Sequence, residues 1–92
     1  MRTIESTKVF RRDYKKVIAT PRFREIGTFV EWIGDQLAAD IPLDIRYRDH
    51  PLSGVYAGCR ECHVKPDLLL VYTKPDSATL RLLRLGSHSE LF

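Results

Sequence analysis

The apolar positions of this chain change period near its middle. From Thr7 to Ala19, Phe10, Tyr14, Val17 and Ile18 cluster on one side of a helix turning about 100° per residue. Lys8, Arg11, Arg12, Lys15 and Lys16 fall on the other side, which predicts an amphipathic first helix. Thr20-Pro21 then supplies a threonine N-cap with proline at the first helical position. Phe23, Ile26, Val30, Ile33 and Leu37 follow at spacings of 3, 4, 3 and 4. They predict a second helix of about 18 residues ending near Asp40, beyond which Pro42 prevents continuation. So short a break between the two predicts an antiparallel hairpin. Trp32 lies roughly 130° from the centre of the second apolar stripe, so it packs on the flank of the first helix or belongs to a partner surface.

Beyond Ser53-Gly54 the spacing becomes that of strands. Val55 to His63, Asp67 to Thr73 and Thr79 to Leu85 each read as one, separated by Lys65-Pro66 and by Lys74-Pro75-Asp76-Ser77. Leu68-Leu69-Leu70-Val71-Tyr72 is apolar on both faces, as a central strand must be. Short loops predict an antiparallel meander, and residues 2–6 add a short strand around Thr3 and Ile4. The expected fold is α+β: a small, twisted, mainly antiparallel sheet with an N-terminal two-helix hairpin packed on one face. Ninety-two residues suffice for one domain, taken as 1–92.

Charge and composition narrow the setting. No apolar run approaches the roughly 20 residues of a membrane span. Met1 to Lys8 has no apolar segment of the secretory kind, so the expected location is cytoplasmic, with reduced thiols. The net charge is +3 and the isoelectric point about 9.1, which permits a polyanionic partner. Five cations and one acid, Asp13, lie between Lys8 and Lys16. Such a face is either solvated or a binding surface.

Candidate chemistry sits in three loop-like runs, Tyr47 to Leu52, Cys62 to Asp67 and Gly86 to Phe92, each carrying one histidine. Histidine alone gives and takes protons near neutral pH with an unperturbed pKa of about 6.5. A lone histidine is more often structural, but three in comparable settings suggest an acid–base site. Cys59-Arg60-Glu61-Cys62-His63 matches C-x-x-C-H, the c-type haem attachment pattern. In a strand, however, residues three apart point to opposite faces, so the thiols cannot readily serve one haem or zinc. No cofactor and no metal are therefore expected.

Tyr47-Arg48-Asp49-His50-Pro51-Leu52-Ser53-Gly54, the run Gly58 to Asp67 and the ending Leu83 to Phe92 together resemble the YafQ group of RelE-superfamily toxins. The resemblance covers most of residues 46–92, and the helical half agrees in length and layout. It implies a ribosome-dependent messenger-RNA endonuclease, held inactive by a cognate antitoxin in a toxin–antitoxin heterotetramer. It assigns catalysis to His50, His63, Asp67 and His88, and RNA binding and positioning to Arg84 and Phe92. Arg60 and Lys65, flanking His63, join these as RNA-binding candidates. Lys8, Arg11, Arg12, Lys15 and Lys16 would dock on ribosomal RNA. The family usually has tryptophan where this chain has Tyr56, an aromatic at Cys59 and often tryptophan at Leu68. These departures bear on codon preference, since aromatics near a nuclease site stack on bases.

RNA carries its own nucleophile in the 2′-hydroxyl, so cleavage needs a base, an acid and a cation at the phosphate. The reading places His88 as general acid, His50 or Asp67 as base, His63 as the orienting group and Arg84 as the phosphate clamp. Products would carry a 2′,3′-cyclic phosphate and a 5′-hydroxyl. The rival reading is a non-catalytic RNA- or ribosome-binding inhibitor of translation.

Overall fold

The computed structural model describes residues 1–92. The first helix, α1, runs over Lys8–Ala19 behind a short strand β1, Thr3–Ser6. Thr7 caps it, its hydroxyl accepting from Phe10 N at 2.9 Å, whereas Thr20, the expected cap of the second helix, donates its hydroxyl back to Lys16 O at 3.1 Å. Phe10 and Val17 are buried and the five cations are exposed.

The second helix is shorter than its periodicity predicts. Pro21–Phe23 forms a 3₁₀ turn, and α2 occupies only Gly27–Ala38. Phe23 N and Ile26 N bond to carbonyls three residues back, at 2.9 Å each, so the chain winds tightly through this stretch. The apolar rhythm survives because the turn still carries Phe23 and Ile26 onto the core side. A Cβ on Gly27 would lie 2.5 Å from Tyr14 Oη, so glycine lets the α1 ring close over the start of α2. At the far end Asp40 takes a left-handed conformation, φ 57°, and Ile41 N reaches back to Gln36 O at 3.0 Å.

After a 3₁₀ turn at Ile45–Tyr47 come β2 at His50–Pro51, a second such turn at Gly54–Tyr56, β3 at Arg60–Lys65, β4 at Leu68–Asp76 and β5 at Thr79–Gly86. A last helix, α3, spans His88–Leu91. The meander β3-β4-β5 is antiparallel as expected, but its first strand begins at Arg60 rather than Val55. Gly58 at φ 89° and the turn at Gly54–Tyr56 hold the preceding residues out of the sheet. The sheet has five strands in the order β1-β5-β4-β3-β2, with β1 parallel to β5 and β2 antiparallel to β3.

The main core lies on the face covered by α1 and α2. Phe10, Val17, Val30, Ile33 and Leu37 meet Cys62, Val64, Leu70, Tyr72, Leu80 and Leu85 there. The opposite face carries a smaller cluster of Leu69, Val71 and Leu91, with Leu52, Tyr56 and Cys59 against it. Cys59 and Cys62 thus serve opposite faces, and burial pushes the Cys62 thiol up to about 12.

Asp40 joins three elements. Its carboxylate accepts from Arg2 at 2.9 Å and from Lys74 at 2.7 Å. These two cations, Lys74 first, hold its pKa down at about 2 from 3.8. A depressed carboxylate contributes stability that is complete above its unfolded pKa and disappears as pH falls through the folded one. Asp40→Asn should therefore remove part of the stability lost on acidification from about pH 4 to 2. Urea midpoints across that range, in both proteins, measure it; an unchanged acid limb would show that the contacts contribute nothing.

Candidate active site

Strand pairing sets the histidines. His50 faces Glu61 across β2 and β3, while His63 faces Leu69, which in turn faces Gly86. Cys62 and Val64 point into the helix-covered core, so alternation turns Glu61 and His63 to the open face. Two strand spacings of about 4.8 Å separate His63 from the end of β5, where α3 begins.

The His50 and His63 rings stand 6.4 Å apart, centre to centre. His50 Nε2 lies 2.9 Å from Glu61 Oε2, and its Nδ1 lies 2.5 Å from the Arg48 carbonyl. An imidazole donates to both acceptors only when it carries two protons. Glu61 is 6% exposed, and its second oxygen is buried without a hydrogen-bond partner. His63 Nδ1 lies 3.4 Å from the Pro66 carbonyl. With the proton placed there, Nε2 presents a lone pair outward.

The loop leading to His50 is held from the other side of the sheet. Arg48 takes the left-handed conformation at φ 50°, an uncommon one for a residue with a side chain. Its neighbour Asp49 accepts from Tyr72 Oη at 2.5 Å and from Arg60 Nε at 3.2 Å. Burial, then the bond to Asp49, raises the Tyr72 phenol far above its ordinary value. Arg60 pairs with Tyr72 across the strands, so it braces this loop from the core side and is turned away from the histidines.

His88 opens α3, which Ser87 and Glu90 cap reciprocally. The ring of Phe92 lies 5.1 Å from His88 and 5.4 Å from Tyr56, and Leu91 anchors the tail in the smaller core. Arg84, on β5, donates to Asp13 at 2.7 and 3.3 Å. Asp67 pairs with Arg22 at 2.6 Å rather than with a histidine. Asp67 and Arg84 line one cleft of about 460 Å³, together with Lys16, Arg22 and Glu90. Lys65 and His63 line another.

Four contributors were not singled out in the sequence. Glu61 lay two residues before His63, on the same face by alternation, and that parity was the available signal. Asp13 falls about 60° from Phe10 on the apolar side of α1, where a carboxylate needs a partner. Arg22 and Tyr72 left no local trace, because their partners are far away in the chain. Trp32 stacks on Phe29 at 5.8 Å and lies 6.2 Å from Tyr47, so it joins an aromatic group beside the site and not the flank of α1.

A family described as the bacterial toxin of type II toxin-antitoxin systems, YafQ, matches residues 2–92. The mRNA interferase toxin YafQ of Escherichia coli K12 is 34% identical over 91 residues, 99% of this chain and 96% of that one. A copper-bound mutant toxin from Helicobacter pylori superposes with a TM-score of 0.91 at 39% identity, over 100% of both chains. A chain of the E. coli DinJ–YafQ complex superposes with a TM-score of 0.82 at 34% identity, covering 100% of this chain and 99% of that one. The protein belongs to the YafQ family of toxins.

Proposed function

We propose that this chain is an endoribonuclease toxin that cuts messenger RNA on the ribosome by acid–base transfer through the RNA 2′-hydroxyl, and that a cognate antitoxin restrains it. The observation that carries the reading is the pair of imidazoles on the open sheet face, one fixed by a buried carboxylate and the other with a free Nε2. The relatives' names, mRNA interferase toxin and DinJ–YafQ complex, supply the substrate class and the kind of partner.

The geometry refines the roles. His63 Nε2 is the nitrogen free to take the 2′-proton. His50, held between Glu61 and the Arg48 carbonyl, stands beside it and helps to position the phosphate. His88, exposed and tilted against the Phe92 ring, donates to the leaving 5′-oxygen. Arg84 and Arg22 face the phosphates from the cleft that holds Asp67. That carboxylate sits in an exposed ion pair worth under about 1 kcal/mol, so a phosphate can exchange into it.

The copper of the Helicobacter toxin raises the question of a metal here. No three His, Cys, Asp or Glu side chains converge as a ligand set, and both His50 nitrogens are already engaged. The proposed reaction accordingly uses side-chain acids and bases alone. Chelator treatment of purified protein should leave cleavage on programmed ribosomes within about twofold, against the tenfold or more that loss of a catalytic metal costs.

A site without a metal depends on holding the 2′-oxygen, phosphorus and 5′-oxygen in line, and the ribosome presents its codon in a fixed geometry. The exposed Lys8, Arg11, Arg12, Lys15 and Lys16 supply phosphate contacts for docking on ribosomal RNA. Mapping messenger-RNA 5′ ends after brief induction tests the whole reading. Breaks in phase with codons and bearing 5′-hydroxyls are expected; intact messages with stalled translation would establish a non-catalytic inhibitor instead. Equal cutting of naked RNA would remove the ribosome from the mechanism.

A further inference from the structure

Beside His63 lies a second cleft, of about 610 Å³, which Phe29, Tyr47, Arg46, Arg48 and Lys65 also line. Its size is that of a small-ligand site. No carboxylate lines it, Arg48 and Lys65 have no acidic partner, and Arg46 has only Asp44 at 3.7 Å. The rings and cations alternate. Phe29 and Tyr47 are 5.9 Å apart, Lys65 Nζ stands 5.1 Å from the centre of Phe29, and the Arg46 guanidinium stands 5.3 Å from the centre of Tyr47. Trp32 extends the stack over Phe29, at 10° between planes, and remains 44% exposed.

We infer that this cleft is a subsite for one base of single-stranded RNA flanking the cut, an inference that rests on the nuclease reading above. A nucleotide needs an aromatic face for its base and a cation for its phosphate, and the cleft alternates the two. Because His63 forms its wall, a strand whose scissile phosphate lies at His63 brings an adjoining nucleotide to Phe29 and Tyr47. The core does not account for an exposed tryptophan and unpaired cations here; a stacked base with its phosphate does.

The test is a cycle between protein and message. Programmed ribosomes carry messages with a single abasic nucleotide at each position flanking the cut, and are treated with the parent protein or with the Phe29→Leu, Tyr47→Leu double variant. Stacking worth about 1–3 kcal/mol per base predicts an abasic loss of about 5- to 150-fold for the parent at one position. The double variant should lose a similar factor on the intact message and little more on the abasic one. Tyr47→Phe, which keeps the ring, should stay within about twofold of the parent. An unchanged far-ultraviolet circular dichroism spectrum and a cooperative urea transition show that the variants fold. Losses that multiply independently at every position would overturn the subsite. So would variants that cut normally but escape neutralisation by the antitoxin, which would make the patch a protein-binding surface. A parent protein that cuts no programmed ribosome would instead remove the nuclease reading, and the subsite with it.

Discussion

Alanine at His63 or at His88 should slow cleavage on programmed ribosomes by about 10²- to 10⁴-fold, the usual worth of a positioned base or acid. Both side chains lie outside the two hydrophobic clusters, so unfolding free energies should change by no more than about 0.5 kcal/mol. The two losses are separable. A substrate with sulfur in place of the leaving 5′-oxygen expels a good leaving group and needs no proton. His88→Ala should cut that linkage nearly as fast as the parent, whereas His63→Ala should stay slow on both. A His88→Ala protein that is fully toxic at equal expression would show that the acid lies elsewhere. Because one imidazole must be neutral and another protonated, the parent rate should fall on both sides of an optimum.

The largest expected loss of stability is at Asp13. β1 pairs with β5 only as far as Ser6 and Leu82, which leaves the last residues of β5 without a neighbouring strand on that side. Asp13, 8% exposed, takes the place of that strand by accepting from Leu85 N at 3.0 Å and from the Arg84 guanidinium. Asp13→Ala would leave a buried amide unsatisfied and an arginine unpaired, at a cost of about 2–4 kcal/mol. For a domain of this size that lowers Tm by on the order of 10–20 °C. Asp13→Asn, which keeps an acceptor for Leu85, should lose less. Thermal and urea denaturation of the three proteins decide the matter, and an alanine variant within about 0.5 kcal/mol of the parent would refute the account.

Local rules made much of this architecture readable in advance. The amphipathic first helix, the strand-period run from Leu68 to Tyr72 and the split of Cys59 from Cys62 all depend on neighbours a few residues apart. What escaped depends on distant partners. β1 could be read as a strand, but its parallel pairing with β5 joins Thr3 to Thr79. β2 is two residues long and exists because Glu61 and Arg60 lie opposite His50 and Pro51. The second helix was over-read because a 3₁₀ turn and an α-helix bury nearly the same side chains. At the candidate site, the resemblance named the residues but not how their side chains are held. Only the coordinates show that both nitrogens of His50 are engaged and that Arg60 faces Asp49.

The pairing of the first strand with the last has a consequence for synthesis. A chain made from its N-terminus has β1 and α1 available early, yet the strand both rest on is the last of the sheet to emerge. Thr7 N bonds to Leu82 O, and Asp13 to Leu85 N. Until Thr79–Gly86 is free, α1 lacks the strand against which it buries Phe10 and Val17. The N-terminal third of the chain therefore cannot reach its native packing ahead of the last strand of the sheet. Truncated chains ending before β5 should be unfolded and harmless.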